Sequence, residues 1–393
     1  MSQPSLNNLD KSNWQTLPFG EIAQSIGERV DPTKTDLETY VGLEHIDPES
    51  IHIKRFGKRE DVSGTKLRCY PGDVIFGRRR AYQRKAAICE FDGFCSAHSL
   101  VLRAIPEVID PKLFPFFLHS DQFMHRAVDI SVGGLSPTIN WTKLKQEKFL
   151  LPPKDQQAKL AELLWAADAV VTKKNNLFES VNQTAETYIE RNLTSPSVEG
   201  SLSDYCEKDG IKIGPFGSLL HKEDYQSNGI PVVMPADIVD GVIQEDSVAR
   251  ISEHKAEELK NYRLEEKDIL FPRRGDLTKR ALVELHQKNW ICGTGTIRVR
   301  LKESINPLLV YYAVTSSTTN RRLLDSAVGT TMPNLNARAI KNIPLHLPSS
   351  DSSNRILSEL ELIFRSKAEL HANLQNSRAL LKSLINEIFS QPA

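Results

Sequence analysis

The sequence predicts an α/β (α+β) fold in which two mixed α/β globules are each followed by a long helix. Three observations predict it. Related motifs occur twice, strand and helix patterns mix within each copy, and each copy leads into an uninterrupted helical pattern. We therefore expect globules at 1–153 and 196–349, and long helices at 154–195 and 350–393.

The repeat is clearest at the end of each predicted globule. The segment 133–140 (GGLSPTIN) returns as 329–336 (GTTMPNLN), so that equivalent residues are 196 positions apart (333 − 137). Upstream, 70–76 (YPGDVIF) parallels 265–271 (EEKDILF) with an offset of 195 (268 − 73). A nearly constant offset indicates duplication followed by small insertions in loops.

Each predicted globule combines strands and helices. Short β-branched or alternating runs predict strands at 73–76, 99–103, 231–234 and 296–300. Helical spacing of apolar residues predicts helical segments at 111–127 and 307–327.

The two apolar patterns, at 160–192 and 356–388, contain neither glycine nor proline and form a narrow apolar stripe. Helices of roughly 35 to 38 residues extend about 55 Å, and a narrow stripe on such helices favours coiled-coil packing over packing on their own globules. The stripe consists of Leu160, Leu164, Phe178, Val181 and Tyr188 in the first helix and Ile356, Leu360, Ile363, Leu374 and Leu384 in the second. Lys174 and Lys367 fall on or beside it, where polar residues fix register.

Composition limits the class of protein. The 50 basic and 50 acidic residues give no net charge, so the net charge does not indicate a nucleic-acid-binding protein. Only local clusters of basic residues can indicate one. No run of about 18 apolar residues occurs and the N-terminus is polar, so we expect a cytoplasmic protein without membrane contact. The five cysteines form no C-x-x-C pair, which fits reduced thiols and predicts no metal site.

Catalytic motifs are weak. No G-x-x-x-x-G-K-[ST] loop is present, and the isolated pair Gly293 and Gly295 is typical of a structural turn. Cys95 and His98 lie three residues apart and suggest a nucleophile and its base. A cysteine buried in the core is the simpler interpretation. We expect no catalytic residue and no cofactor in this chain.

Basic clusters follow equivalent predicted strands in the two copies. Guanidinium groups bind phosphates and read guanine edges, so paired cationic loops favour two-site DNA recognition over loops that merely keep the surface solvated. The clusters are Arg78, Arg79, Arg80, Arg84 and Lys85 in the first copy and Arg273, Arg274, Lys279 and Arg280 in the second.

A glycine-flanked loop, 214–218 (GPFGS), precedes Lys222 in the second copy. Backbone amides there could approach a phosphate or a base edge, although a plain turn explains the glycines equally well. We add Gly214, Phe216, Ser218 and Lys222, together with Thr330 and Thr331 of the repeated motif, to the candidate DNA-binding residues.

The order of these motifs resembles the specificity subunit of type I restriction-modification systems. The resemblance rests on 214–218, on 228–232 (NGIPV), on 267–271 (KDILF), on 329–336 and on 343–348 (IPLHLP) before the long helix. It implies that each globule is a target recognition domain for one half of a bipartite double-stranded DNA target. It also implies that the helices pair antiparallel as a spacer.

The resemblance further implies a non-catalytic role and several partners. Two methyltransferase (M) subunits would dock on this chain and a motor-nuclease (R) subunit would join them. S-adenosylmethionine, ATP and Mg would belong to those partners. Two alternatives are a coiled-coil scaffold whose two α/β modules bind protein partners, and an enzyme whose active site has no familiar motif.

Overall fold

The computed structural model describes residues 9–194, 200–216, 219–239, 241–246, 248–327, 334–348 and 350–390, without the side chains of 350 and 351. The chain divides into two compact units. Unit 1 comprises Met1–Asn176 and His371–Ala393, and unit 2 comprises Leu177–Leu370. Both boundaries fall within the long helices, so each unit consists of one globule and one part of each helix.

Unit 1 contains short strands, short helices and the start of the first long helix. Its strands are β1 (Gln15–Pro18), β2 (Ala23–Ile26), β3 (Arg29–Val30), β4 (Thr39–Val41), β5 (Gly57–Lys58), β6 (Lys66–Cys69), β7 (Val74–Gly77), β8 (Ala86–Ile88), β9 (Gly93–Cys95), β10 (Ser99–Ala104) and β11 (Lys148–Leu151). Its helices are α1 (Phe19–Ile22), α2 (Phe114–His119), α3 (Asp121–Asp129), α4 (Trp141–Leu144) and α5 (Lys154–Leu193), which continues into unit 2.

Unit 2 repeats this arrangement. Its strands are β12 (Cys206–Ile213), β13 (Tyr225–Gln226), β14 (Ile230–Val233), β15 (Ile238–Val239), β16 (Val242–Ile243), β17 (Ala249–Ile251), β18 (Ile269–Pro272), β19 (Ala281–Leu282), β20 (Ile291–Cys292) and β21 (Thr296–Leu301). Its helices are α6 (Glu253–Glu258), α7 (Pro307–Thr315), α8 (Ser317–Ser326), α9 (Ala337–Lys341) and α10 (Ser350–Phe389), which continues into unit 1.

The sheets confirm that the two globules are copies. A four-stranded antiparallel sheet has the order β2-β10-β7-β8 in unit 1 and β12-β21-β18-β19 in unit 2. A second sheet contains a parallel pair in each unit, β4 with β9 and β14 with β20. Cys95 and Cys292 lie on these pairs and are buried, so the core-thiol reading of Cys95 is confirmed. The remaining pairs are β1 with β11 and β15 with β16, and the second sheets have the orders β3-β6-β9-β4-β5 and β13-β17-β14-β20.

A buried aspartate fixes the turn before the equivalent strands β7 and β18. Asp73 accepts two hydrogen bonds from the guanidinium of Arg103, at 2.7 and 3.0 Å, and Asp268 accepts two from Arg300, at 2.9 and 2.7 Å. Each aspartate also accepts a hydrogen bond from the backbone N–H of the residue three positions earlier. The donors are Tyr70, at 3.0 Å, and Glu265, at 2.8 Å. A buried carboxylate needs such partners, and the same set satisfies it in both units.

The helical segments expected at 111–127 and 307–327 are each two helices. Ser120 ends α2 and caps α3 by accepting the N–H of Phe123, and Ser316 ends α7 and caps α8 by accepting the N–H of Thr319. Each serine hydroxyl also donates to the last turn of the preceding helix, at 2.7 and 2.9 Å. The chain turns here because a serine side chain replaces the missing helical partners.

The long helices α5 and α10 contain 40 residues each, and they pair antiparallel within each unit. In unit 1, Leu160 and Leu164 of α5 share a buried cluster with Leu384 and Ile388 of α10. In unit 2, Ile189 of α5 shares a cluster with Ile356 and Leu360 of α10. The start of one helix therefore meets the end of the other, which confirms the antiparallel coiled coil.

The two lysines of the stripe bridge the helices. In unit 1, Lys174 Nζ donates to Ser377 Oγ at 2.8 Å and to the carbonyl of Asn373 at 3.3 Å. In unit 2, Lys367 Nζ lies 6.0 Å from the ring centroid of Phe178. Both contacts are specific to one alignment of the helices, as expected for polar residues that fix register.

The same helix segments also pack into the cores of the globules. The helices therefore pair with each other and also pack against the globules. Phe117 of α2 lies 5.4 Å from the ring of Phe389 in α10, and Phe116 lies 5.4 Å from Trp165 in α5. In unit 2, Tyr312 of α7 stacks on Phe364 of α10 at 4.6 Å. Each globule therefore packs against one part of both helices.

An ion pair attaches α5 to the globule of unit 1. His52 Nε2 lies 2.7 Å from the largely buried carboxylate of Asp168, and the ring packs edge-on against Trp165. The hydrogen bond with Asp168 raises the pKa of His52 above its ordinary value of 6.5, against the opposing effect of burial.

We predict that this pair makes the stability of the chain depend on pH. Because the folded pKa of His52 is raised, its contribution is complete below the unfolded value of 6.5 and is lost as the pH rises through the folded pKa. Thermal melts of wild type and His52→Gln between pH 5.5 and about 9 check this. The difference in Tm should be largest at the acid end, and a constant difference across the range would contradict the prediction.

Candidate nucleic-acid interface

Arginine-rich loops follow the equivalent strands β7 and β18. We call residues 78–80 the arginine loop of unit 1 and residues 273–274 the arginine loop of unit 2. Arg79, Arg80 and Arg274 are exposed, whereas Arg78 and Arg273 are partly buried at the start of each loop. The sheet therefore presents cationic side chains at the same strand end in both units.

Each arginine loop is hydrogen-bonded to the repeated motif. In unit 1, the N–H of Ile139 donates to the carbonyl of Arg78 at 2.9 Å, and in unit 2 the N–H of Leu335 donates to the carbonyl of Arg273 at 3.0 Å. Ile139 and Leu335 are both fully buried. One buried residue of the motif thus anchors the loop to the core at equivalent places.

Further bonds extend the contact in unit 1. The N–H of Arg80 donates to the carbonyl of Pro137 at 2.8 Å, and its Nε donates to Ser136 Oγ at 3.3 Å. Arg80 has a left-handed backbone, with φ of 57°. The arginine loop and segment 133–140 consequently form one continuous surface in unit 1.

The loop 214–216 joins the arginine loop of unit 2. The N–H of Gly214 donates to the carbonyl of Thr296 at 2.8 Å, and Thr294 Oγ1 donates to the carbonyl of Pro215 at 2.6 Å. Phe216 is 59% exposed, and the guanidinium of Arg273 lies 5.8 Å from its ring centroid. An exposed ring beside a guanidinium offers both stacking and charge to a nucleic acid.

Gly214 is required by close packing. A Cβ at this position would lie 1.9 Å from the carbonyl oxygen of Gly293, which is backbone and cannot swing away. The close approach of the two backbones therefore explains why residue 214 is a glycine. This packing holds the loop 214–216, in which Phe216 lies beside Arg273.

Several basic residues of the sequence clusters are used inside the fold. Arg280 was grouped with the exposed cations, but only 2% of it is exposed. Its guanidinium lies 4.2 Å from the ring of Phe271 and donates to the carbonyl of Leu277 and to Asn320 Oδ1, at 2.8 and 3.2 Å. Burial lowers the pKa of Arg280 to about 9. We correct the expectation for this residue, because its guanidinium cannot reach DNA in this fold.

Arg84 and Lys85 are also engaged internally. Arg84 lies 3.1 Å from Glu49 and 2.7 Å from Asp121, and it donates to the carbonyl of His119 at 2.8 Å. Lys85 Nζ donates to the carbonyl of Leu43 at 2.6 Å. These partners hold both side chains against the globule, so we place neither at the proposed DNA contact.

The other sequence-predicted residues are placed as follows. Lys222 is exposed at the start of a short turn after the loop 214–216, and Lys279 is partly buried. Ser218, Thr330 and Thr331 lie outside the described residues.

The sequence reasoning missed two exposed apolar side chains near the arginine loop of unit 1. Leu135 is 97% exposed within segment 133–140, and Tyr82 is 55% exposed two residues after Arg80. A leucine between a glycine pair and Ser-Pro is the signal that could have indicated an exposed apolar tip, since such loops bury little.

Other kinds of site receive no support in the described ranges. Those residues contain no group of three or more His, Cys, Asp or Glu side chains that could hold a metal ion. The helices of the same ranges include none that is long and apolar enough to cross a membrane.

Comparison with known sequences identifies a domain. Residues 199–377 match the family model of the type I restriction modification DNA specificity domain. The specificity subunit of the type I restriction enzyme EcoDI from Escherichia coli is 26% identical over 194 residues. That match covers 47% of this chain and spans 42% of the length of the curated relative.

Comparison with solved structures extends the likeness to the whole chain. A chain from a structure of complex assembly and conformational transition of the type I R-M system aligns over 99% of this chain and 98% of its own, with a TM-score of 0.57 and 19% identity. The S subunit of a type I restriction-modification system from M. genitalium aligns over 100% of both chains, with a TM-score of 0.53 and 15% identity. The fold of the whole chain is therefore that of these proteins.

We predict that Arg274→Ala and Arg280→Ala differ in their effect on stability. Arg280→Ala removes buried hydrogen bonds from a charged donor and should destabilise unit 2 by on the order of 3 kcal/mol. Arg274→Ala removes an exposed side chain and should change stability by less than about 0.5 kcal/mol. Chemical denaturation of both variants checks this, and similar losses would contradict the assignment of Arg280 to the core.

Proposed function

We propose that this chain is a specificity subunit of a type I restriction-modification system and that it selects the DNA sequences on which such a complex acts. The observation that carries the proposal is the arginine loop, which is anchored to the repeated motif by the same hydrogen bond in both units. A duplicated cationic loop on a rigid base suits two contacts with duplex DNA.

In this proposal each globule is a target recognition domain for one half of a bipartite site. The exposed Arg79, Arg80 and Arg274 supply phosphate contacts and candidate contacts to guanine edges. Phe216 and Arg273 add a stacking surface in unit 2. Gly214, Lys222, Lys279 and Arg78 remain further candidates for contacts with DNA. Ser218, Thr330 and Thr331 remain candidates on the sequence alone.

The paired helices have two roles in the proposal. They act as a spacer that determines the gap between the half-sites, and they dock two methyltransferase subunits. A motor-nuclease subunit completes the complex. S-adenosylmethionine, ATP and Mg belong to those partners, this chain is non-catalytic, and the complex works in the cytoplasm.

The coiled-coil scaffold is the less favoured alternative. Residues 199–377 match a DNA specificity domain, and that match favours a duplex over a protein as the ligand of the globules. A scaffold would also give no reason for the exposed arginines to recur at equivalent strand ends.

We predict that each arginine loop serves one half-site. Arg273→Ala with Arg274→Ala should weaken discrimination at one half-site by about 1–3 kcal/mol and lower the salt dependence of binding, because guanidinium contacts are lost there only. Arg79→Ala with Arg80→Ala should affect the other half-site. Binding of the reconstituted complex to duplexes altered in either half-site measures both effects.

A matched control removes the same charge elsewhere. Lys208→Ala with Lys260→Ala takes two exposed cationic side chains from unit 2, outside its arginine loop. Discrimination at both half-sites should then equal that of wild type. Equal losses at both half-sites in either loop variant would contradict recognition by separate units.

We predict that the helix length determines the spacer. Inserting seven residues, two turns, into both α5 and α10 at the unit boundaries lengthens each helix by about 10 Å, which corresponds to about three base pairs. The preferred gap should increase while both half-sites stay the same. Mapping of methylated adenines in cells with the variant checks this, and altered half-sites with an unchanged gap would contradict it.

A further inference from the structure

Each unit contains a surface cavity, and the two cavities lie at equivalent places in the repeat. The cavity of unit 1 has a volume of about 720 Å³ and lies between α3 and residues 146–149. The cavity of unit 2 has a volume of about 380 Å³ and lies between α8 and residues 336–344. Arg126 lines the first and Arg322 the second, and these residues are 196 positions apart (322 − 126).

The arginine of the unit 1 cavity is neutralised within the chain. Arg126 Nε donates to the carboxylate of Glu147, which also lines the cavity. This hydrogen bond raises the pKa of Arg126 above its ordinary value. Asp129 adds a second carboxylate to the lining. The cavity of unit 1 therefore contains its own anions.

The arginine of the unit 2 cavity has no such partner. Ile343 replaces Glu147, and among the described residues no carboxylate oxygen lies within 4.0 Å of the Arg322 guanidinium. Arg322 Nη1 is shielded from solvent and makes no hydrogen bond with the described part of the chain. A shielded donor on a charged group without a partner is costly unless a ligand supplies one.

The other polar groups of this cavity are mostly donors. Arg338 contributes a second guanidinium and Asn342 contributes an amide, whereas the hydroxyl of Ser326 already donates to the carbonyl of Leu323 at 2.9 Å. The side-chain oxygen Oδ1 of Asn336 accepts a hydrogen bond from the N–H of Ala339 at 2.9 Å. The side-chain nitrogen Nδ2 of Asn336 is left as a donor. A cationic, donor-rich cavity without a carboxylate in its lining matches an oxyanion with several acceptor oxygens.

We propose that the cavity of unit 2 is a binding site for a phosphate-class oxyanion, held by Arg322 and Arg338, and that Glu147 closes the equivalent site in unit 1. The occupant is a backbone phosphate of duplex DNA or a free phosphate. The duplex is a candidate because Asn336 follows Leu335, which is bonded to the arginine loop. Only the choice of duplex DNA as the source of the phosphate rests on the proposed function.

Isothermal titration of the full chain with inorganic phosphate, without DNA, tests the site. Wild type should bind one phosphate, and Arg322→Gln should bind it roughly tenfold more weakly or worse, since a charge-assisted contact is lost. Arg126→Gln is the matched control and should bind as wild type does, because Arg126 is already paired. Equal binding by wild type and Arg322→Gln, including no binding by either, overturns the proposal.

A gain-of-function variant tests the same inference without altering unit 2. Glu147→Gln removes the carboxylate that pairs with Arg126 while keeping the shape of the side chain. The stoichiometry should rise from one phosphate to two. A stoichiometry that stays at one overturns the claim that the carboxylate of Glu147 closes the first site.

Competition identifies the source of the anion. If the duplex displaces the bound phosphate from wild type, the occupant is a backbone phosphate, and Arg322→Gln should also weaken duplex binding. If duplex and phosphate bind together, the occupant is a free phosphate. Failure of DNA recognition would leave the phosphate titration unaffected, so the two proposals fail separately.

Discussion

The antiparallel pairing of α5 with α10 supplies part of the hydrophobic core of both units. In unit 1 the helix residues Leu164 and Ile388 belong to the same buried cluster as Ile139 of the repeated motif. In unit 2, Leu360 belongs to the same cluster as Leu335. Because the N–H groups of Ile139 and Leu335 hold the arginine loops, the position of those loops depends on cores that the helices complete.

This arrangement has a consequence for folding. Unit 1 needs residues from both ends of the chain, as Phe117 packs on Phe389 and Lys11 Nζ donates to the carbonyls of Glu387 and Ser390 at 2.9 and 2.7 Å. Contacts between residues so distant in sequence close long loops and form slowly. Unit 2 consists of one continuous segment, Leu177–Leu370.

The two copies have diverged at their surfaces while keeping the bonds that position them. In both units a buried aspartate, Asp73 or Asp268, accepts hydrogen bonds from an arginine. The backbone hydrogen bond that holds each arginine loop is also the same in both units. The cavities differ, with Glu147 in one place and Ile343 in the other. A duplicated fold can change its ligands in this way because such side chains can change without moving the backbone.

The sequence by itself determined the repeat, four of the strands and the two long helices, because apolar periodicity and turn residues are local signals. It also located the arginine loops. The antiparallel pairing of the helices was implied only by the resemblance to a known family. Only the tertiary structure decided which cations face solvent, since Arg280 is buried by Phe271 and Asn320, residues that sequence spacing does not bring together. The breaks at Ser120 and Ser316 and the pairing of Arg126 with Glu147 were likewise decided by the fold, because a cap or an ion pair depends on where the chain returns.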